Sequence, residues 1–211
     1  MRMIKGLAVV TLAAAVGFGI AAAQDKGGKG GGKGKGGGGI PAPIMLKIAA
    51  YSDGGTIPAN LGCANGNMAT SPAMTWSGAP AATAAYAVIL HDPDVAVNGD
   101  DVLHWAIYNI PGTATGLPAA VPVKAMLDDG SMQINNIAQM PGFMGPCPPP
   151  PTVHHYVFEI YALNAKIDAV PAGTSRMDLI KAMGSKVISL KWPRRRLPTG
   201  TGAGNRTRFR P

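Results

Sequence analysis

After residue 20 the chain has no continuous apolar run long enough to cross a bilayer, which excludes a transmembrane helix from the sequence downstream. It lacks a Gly-x-Ser-x-Gly elbow, so the usual presentation of a hydrolase serine is missing, and Ser71 before Pro72 reads as a turn. No two histidines stand at His-x-x-x-His spacing, and the adjacent pair His154-His155 would point to opposite faces of a strand. Four histidines with nearby aspartates could ligate zinc or copper, but this spacing argues against a metal centre. Cysteine occurs only at Cys63 and Cys147, so at most one disulfide can form. No internal repeat is present.

The formal charge of +8 looks like a signal for nucleic acid or a membrane surface until it is divided along the 211 residues. Residues 1–39 carry net +5, residues 192–211 carry net +6, and residues 40–191 carry −3. The basic character therefore belongs to the ends. The central 152 residues are mildly acidic, rich in apolar side chains and long enough to bury roughly two-thirds of their unfolded surface. They suffice for one domain.

Residues 1–23 read as an export signal: Arg2 and Lys5 open it, an apolar run follows over 6–20, and Ala21-Ala22-Ala23 offers a small-residue cleavage site before Gln24. A retained N-terminal anchor is the competing reading. No cysteine follows the small residues, which argues against lipid attachment there. The expected location is periplasmic or secreted, from a bacterium. Residues 24–39 are almost wholly Gly and Lys and form a flexible cationic linker. Lys26, Lys29, Lys33 and Lys35 could attract anionic surfaces, but no aromatic residue adds nucleic-acid specificity. Residues 192–211 have neither period nor apolar face, and a basic disordered tail is expected.

Between these ends, short apolar runs alternate with turn clusters. The best strand candidates are 44–50, 86–91, 103–110 and 153–163, rich in β-branched and aromatic residues. Ser52-Asp53-Gly54-Gly55, Ala64-Asn65-Gly66-Asn67, Asn98-Gly99-Asp100 and Asp128-Asp129-Gly130 mark turns. Helical periodicity occurs once, where Thr174-Ser175-Arg176-Met177-Asp178 forms a capped start and Leu179, Ile180 and Met183 share a face before Gly184. The pattern predicts a mostly β, antiparallel sandwich with one or two short helices, in a domain spanning 40–191.

Chemistry concentrates in two places. His91-Asp92-Pro93-Asp94 sets two carboxylates around a proline that fixes its own φ and keeps Asp92 out of helical geometry. His104 heads an apolar run ten residues further on, and Gly145-Pro146-Cys147-Pro148 precedes His154 and His155. Carboxylates on a stiff turn are unfavourable unless they meet solvent, a cation or a polar ligand.

These residues resemble the phosphatidylethanolamine-binding protein family, in its bacterial, Raf kinase inhibitor-like branch, over roughly residues 44–189. Ser71-Pro72-Ala73-Met74-Thr75-Trp76 is similar to one family segment, and Asp92-Pro93-Asp94 with His104-Trp105 and Asn109-Ile110-Pro111 to a first signature. Gly145-Pro146-Cys147-Pro148-Pro149 with His154-His155-Tyr156-Val157-Phe158 is similar to a second. The resemblance implies a β-sandwich with a small pocket at one end that accepts anions such as a phospholipid head-group phosphate, without a cofactor. Asp92, His104, Pro146, His154 and Tyr156 would line it, with Asp94 and Gly145 shaping its walls. His155 stands where the family usually has a basic residue, Val95-Ala96 where a proline is common, and the family's ending is not recognisable from Trp192 on.

Alternation adds its own expectation. Within 103–110, His104 should share a face with Ala106 and Tyr108; within 153–163, His154 should share one with Tyr156, Phe158 and Ile160. An imidazole there can donate to a phosphate oxygen, with Asp92 setting its tautomer and Tyr156 adding a donor. His155 should face outward beside Glu159. A Cys63–Cys147 disulfide would stiffen the rim; two free thiols are the alternative. The function expected is that of an exported, non-catalytic binding protein for a small anion. An inhibitor of a protein target, such as a protease or kinase, is the second reading. A small-molecule hydrolase using Asp92 and His104 is the third and lacks an obvious nucleophile.

Overall fold

The computed structural model describes residues 43–62, 69–191 and 206–209. The expected export signal, the Gly/Lys linker and most of the 192–211 tail lie outside them.

The domain is mostly β, with two sheets and one short α-helix. A small antiparallel sheet runs β1 (Met45–Ile48), β2 (Met74–Ser77), β5 (Gly116–Leu117) in that order across. The large sheet is ordered β6 (Met132–Gln133), β4 (Asp100–Pro111), β3 (Ala85–Val97), β7 (His155–Leu163), β8 (Val187–Lys191).

The central strand β3 opens with an unbroken apolar run, Ala85 to Leu90, because both of its faces are covered. On one side Val88, Leu90, Trp105, Phe158 and Ile160 pack against Leu46, Ile48, Met74 and Trp76 of the small sheet. On the other, Ala87, Ile89, Ala106, Tyr108 and Leu163 pack against Leu179 and Met183. Those two belong to α1 (Arg176–Met183), whose start is capped as the sequence predicts: Ser175 accepts from the Asp178 N–H, and Gly184 ends it at φ +41°. No helix among the described residues is long and apolar enough to cross a membrane.

Four residues of the tail, 206–209, fall within the described residues. β9 (Arg206–Phe209) pairs in parallel with β7 over 155–158, while β8 pairs with β7 over 160–163. Among the described residues nothing else pairs with the N-terminal half of this edge, and an extended segment satisfies its backbone groups without needing an apolar side-chain pattern.

Candidate functional site

Interruptions in the β3–β4 ladder build the site. Asp92 pairs with Val102 and Ala96 with Asp101, so residues 93–95 of β3 face no partner on β4. Pro93 has no N–H to offer the ladder, and the strand leaves it there. The Asp92 Oδ1 accepts from the Asp94 N–H at 2.9 Å, closing an Asx-type turn that fixes the carboxylate.

The second interruption is at His104. Leu90 pairs with Trp105 and His91 with Leu103, leaving His104 as the extra residue of a β-bulge. The expected face is corrected by this bulge. Ala106 and Tyr108 lie on the helix side of the sheet, whereas the His104 ring meets Tyr156 edge-on, centroids 5.1 Å apart, on the side toward the small sheet. A period of two cannot survive one inserted residue.

His154, just before β7, stacks on the same Tyr156 with centroids 6.4 Å apart, so the phenol ring stands beside both imidazoles. Here the expected alternation holds: Tyr156, Phe158 and Ile160 face the small sheet together. The His154 Nδ1 donates to Asp92 Oδ2 at 2.6 Å. Asp92, 3% exposed, thus has His154 rather than His104 as its direct partner. His104 Nδ1 donates instead to the Met144 carbonyl at 3.2 Å, and the Met144 N–H returns a bond to the His104 carbonyl at 2.9 Å. That exchange ties the second loop to β4.

Beyond Met144 the chain passes close to the 59–62 turn. A Cβ on Gly145 would stand 2.7 Å from the Leu61 carbonyl oxygen, and one on Gly62 2.7 Å from that of Pro146, so both positions require glycine for close approach. Cys147 is disulfide-bonded, and Cys63 lies outside the described residues. The phenol of Tyr156 interacts with the Cys147 backbone and with Asp92.

Burial first, then the negative Asp92, pushes the Tyr156 phenol well above its ordinary range, so it stays protonated. Burial also pulls His104 below its ordinary 6.5, against the pull of the Met144 carbonyl and Asp92 and with the help of His91 and His154. A neutral His104 carrying its proton on Nδ1 leaves Nε2 as an acceptor.

His155 does not pair with Glu159. Its backbone N–H and its Nδ1 both donate to Asp94 Oδ2, at 2.6 and 2.7 Å. Asp94 and His155 therefore form a partly exposed rim pair beside the buried Asp92–His154 pair.

Glu159 belongs to a cluster that sequence reasoning missed, on the helix side of the sheet. It accepts from Arg176 Nη2 at 2.7 Å and from the Tyr161 hydroxyl at 2.9 Å, with His91 Nε2 at 3.4 Å. The other ring nitrogen of His91 lies 2.7 Å from Asp101. Burial alone would raise the Glu159 carboxyl, but the nearby His91 imidazole and the Arg176 guanidinium prevail and hold it at about 2. A signal existed: an arginine in the first turn of a helix opposes the dipole, which suggests another partner.

A sequence profile described as phosphatidylethanolamine-binding protein matches residues 47–192. A UPF0098 protein of Methanothermobacter thermautotrophicus is 40% identical over 143 residues, covering 68% of this chain and 91% of that protein. Escherichia coli YbcL is 40% identical over 117 residues, 54% of this chain and 62% of YbcL. The crystal structure of YbcL, described as a new member of the mammalian PEBP family, superposes with a TM-score of 0.62 at 29% identity, covering 71% of this chain and 94% of that one. With the profile spanning well over half of the 211 residues, and the two signature loops meeting across one end of the large sheet, the chain belongs to the phosphatidylethanolamine-binding protein family.

Proposed function

We propose that this protein is an exported, non-catalytic binding protein whose site takes a small phosphate-bearing group. The observation that carries the reading is the convergence of Asp92, His104, His154 and Tyr156, from three separate stretches of chain, around one phenol ring. Asp92 holds His154 by Nδ1, so Nε2 is the nitrogen left for a ligand; on the protonated ring it donates to a phosphate oxygen. His104, neutral, offers an acceptor. The pair suits a group with both kinds of atom: a monohydrogen phosphate, or a head-group phosphate with an adjacent ammonium. The family's name points to the second.

Two further observations favour binding over turnover. Cys147 is bonded and presents no thiol, and the buried Ser71 hydroxyl accepts from the Val121 N–H at 2.9 Å. A disulfide also fits an oxidising compartment, in line with the export signal read over 1–23.

Calorimetric titration with inorganic phosphate and with glycerophosphoethanolamine tests the reading. Saturable binding is expected, about tenfold weaker in His154→Ala. Equal affinity in that variant, or no binding of either ligand, overturns it.

A further inference from the structure

Beside the histidines, and sharing the Phe143-Met144 segment with them, the surface opens into a hollow of ≈ 400 Å³. Asp92, His104, His154 and Tyr156 do not line it, and none of its lining residues is ionisable. One of its lining residues, Phe143, meets Trp105 of the core edge-on with centroids 5.7 Å apart. Ser71 with Val121, and Asn136 with Met140, belong to its walls.

The polar groups of these walls are already engaged. The Ser71 hydroxyl accepts from Val121 N–H, and its carbonyl accepts from Ala120 N–H at 2.9 Å. Asn136 donates to the Gly142 carbonyl at 3.0 Å and accepts from Ala138 N–H at 2.9 Å, while its backbone N–H donates to the Met140 carbonyl at 2.9 Å. These bonds brace the walls, so the hollow is preformed. What it presents inward is mainly apolar, with Thr70 adding one hydroxyl, and Val123 and Met140, 60% and 51% exposed, carry that character out to the rim. Its volume lies in the range of small-molecule sites, roughly 300–1,000 Å³, and its concavity suits an enclosed guest more than a flat protein face.

We propose that this hollow is a second ligand site, distinct from the imidazole cluster, that takes a neutral, apolar small molecule. The absence of ionisable lining groups sets the charge of the guest, and the engaged wall amides and hydroxyl leave hydrophobic contact as the main source of affinity. The inference does not rest on phosphate binding at the histidines.

The test is a fluorescence titration of the full-length protein with N-phenylnaphthylamine, a neutral apolar probe. Saturable binding to one site is expected, about tenfold weaker in Ala138→Trp, whose exposed position lets a ring fill the hollow while keeping the backbone bond to Asn136. His154→Ala should leave probe affinity unchanged. Val123→Trp, entering from the rim, serves if Ala138→Trp fails to fold by circular dichroism. Wild-type affinity in both folded tryptophan variants overturns the proposal, as does loss of probe binding in His154→Ala. Absence of saturable binding also overturns it; a dimer in sedimentation that Ala138→Trp dissociates would then identify the occupant as a second copy of the chain.

Discussion

His154 Nδ1 and Asp92 Oδ2 lie 2.6 Å apart although 62 residues separate them in the chain. Asp92 is held by the turn at Pro93 and His154 by the entry to β7, so the contact fastens the two signature loops together at the site. Replacing Asp92 by Asn keeps an oxygen to accept from Asp94 N–H but removes the charge opposite the imidazole. Phosphate affinity should fall about tenfold, the worth of a hydrogen bond to a charged group. Were Asp92 merely repelling the anion, calorimetry would show tighter binding instead.

His104 predicts a pH dependence of stability. Its folded-state pKa is depressed, so the unfolded chain takes up its proton first as pH falls. The stabilisation is present in full above the ordinary value of 6.5 and is lost as pH falls toward and through the lowered folded value. His104→Asn retains an amide donor for the Met144 carbonyl and cannot titrate. Denaturant melts between neutral and mildly acidic pH should therefore show a shallower loss in the variant than in the parent.

Glu159 stabilises from the opposite side of the sheet. Glu159→Gln takes the nearest anion from buried Arg176, leaving Asp100 at 3.6 Å, and unfolding free energy should drop toward the about 3–5 kcal/mol that breaking a buried pair costs. Because its carboxyl titrates at about 2 when folded, the contribution is complete above the unfolded carboxyl range and disappears as pH falls through about 2. Acid titrations followed by circular dichroism should lose this step in the variant.

The Asp94–His155 pair should matter little to stability. Its members are only partly covered, and such pairs contribute about 0–1 kcal/mol. Thermal melts of His155→Ala should stay within that range, in contrast to Glu159→Gln.

Thiol titration of the unfolded but unreduced protein should detect no free cysteine, and two after reduction. Reduction should lower stability by about 3–5 kcal/mol if the loop closed between Cys63 and Cys147 behaves as chain entropy predicts.

The sandwich, the capped helix and the two signature loops could be read from the chain because each rests on local chemistry: apolar runs, a serine cap, a proline between aspartates. What escaped was whatever depends on a departure from local rules. The bulge at His104 has no composition of its own, yet it turns the ring from the Ala106 side to the Tyr156 side. Glu159 reads as the polar partner of outward His155 until Arg176, seventeen residues on, is folded against it. β8 is too short and mixed to stand out before β7 offers it an edge.

His91 and Asp92 are consecutive on β3, yet one supports the ionic cluster beneath the helix and the other holds His154 on the opposite side of the sheet. Deleting a single amino acid upstream in that strand would exchange their sides, thrusting a carboxylate under α1 and an imidazole toward His154. Two unrelated requirements therefore police the same reading frame of β3. Length changes there should be tolerated far less than changes of side chain, and the outer and inner halves of this sheet cannot be remodelled separately.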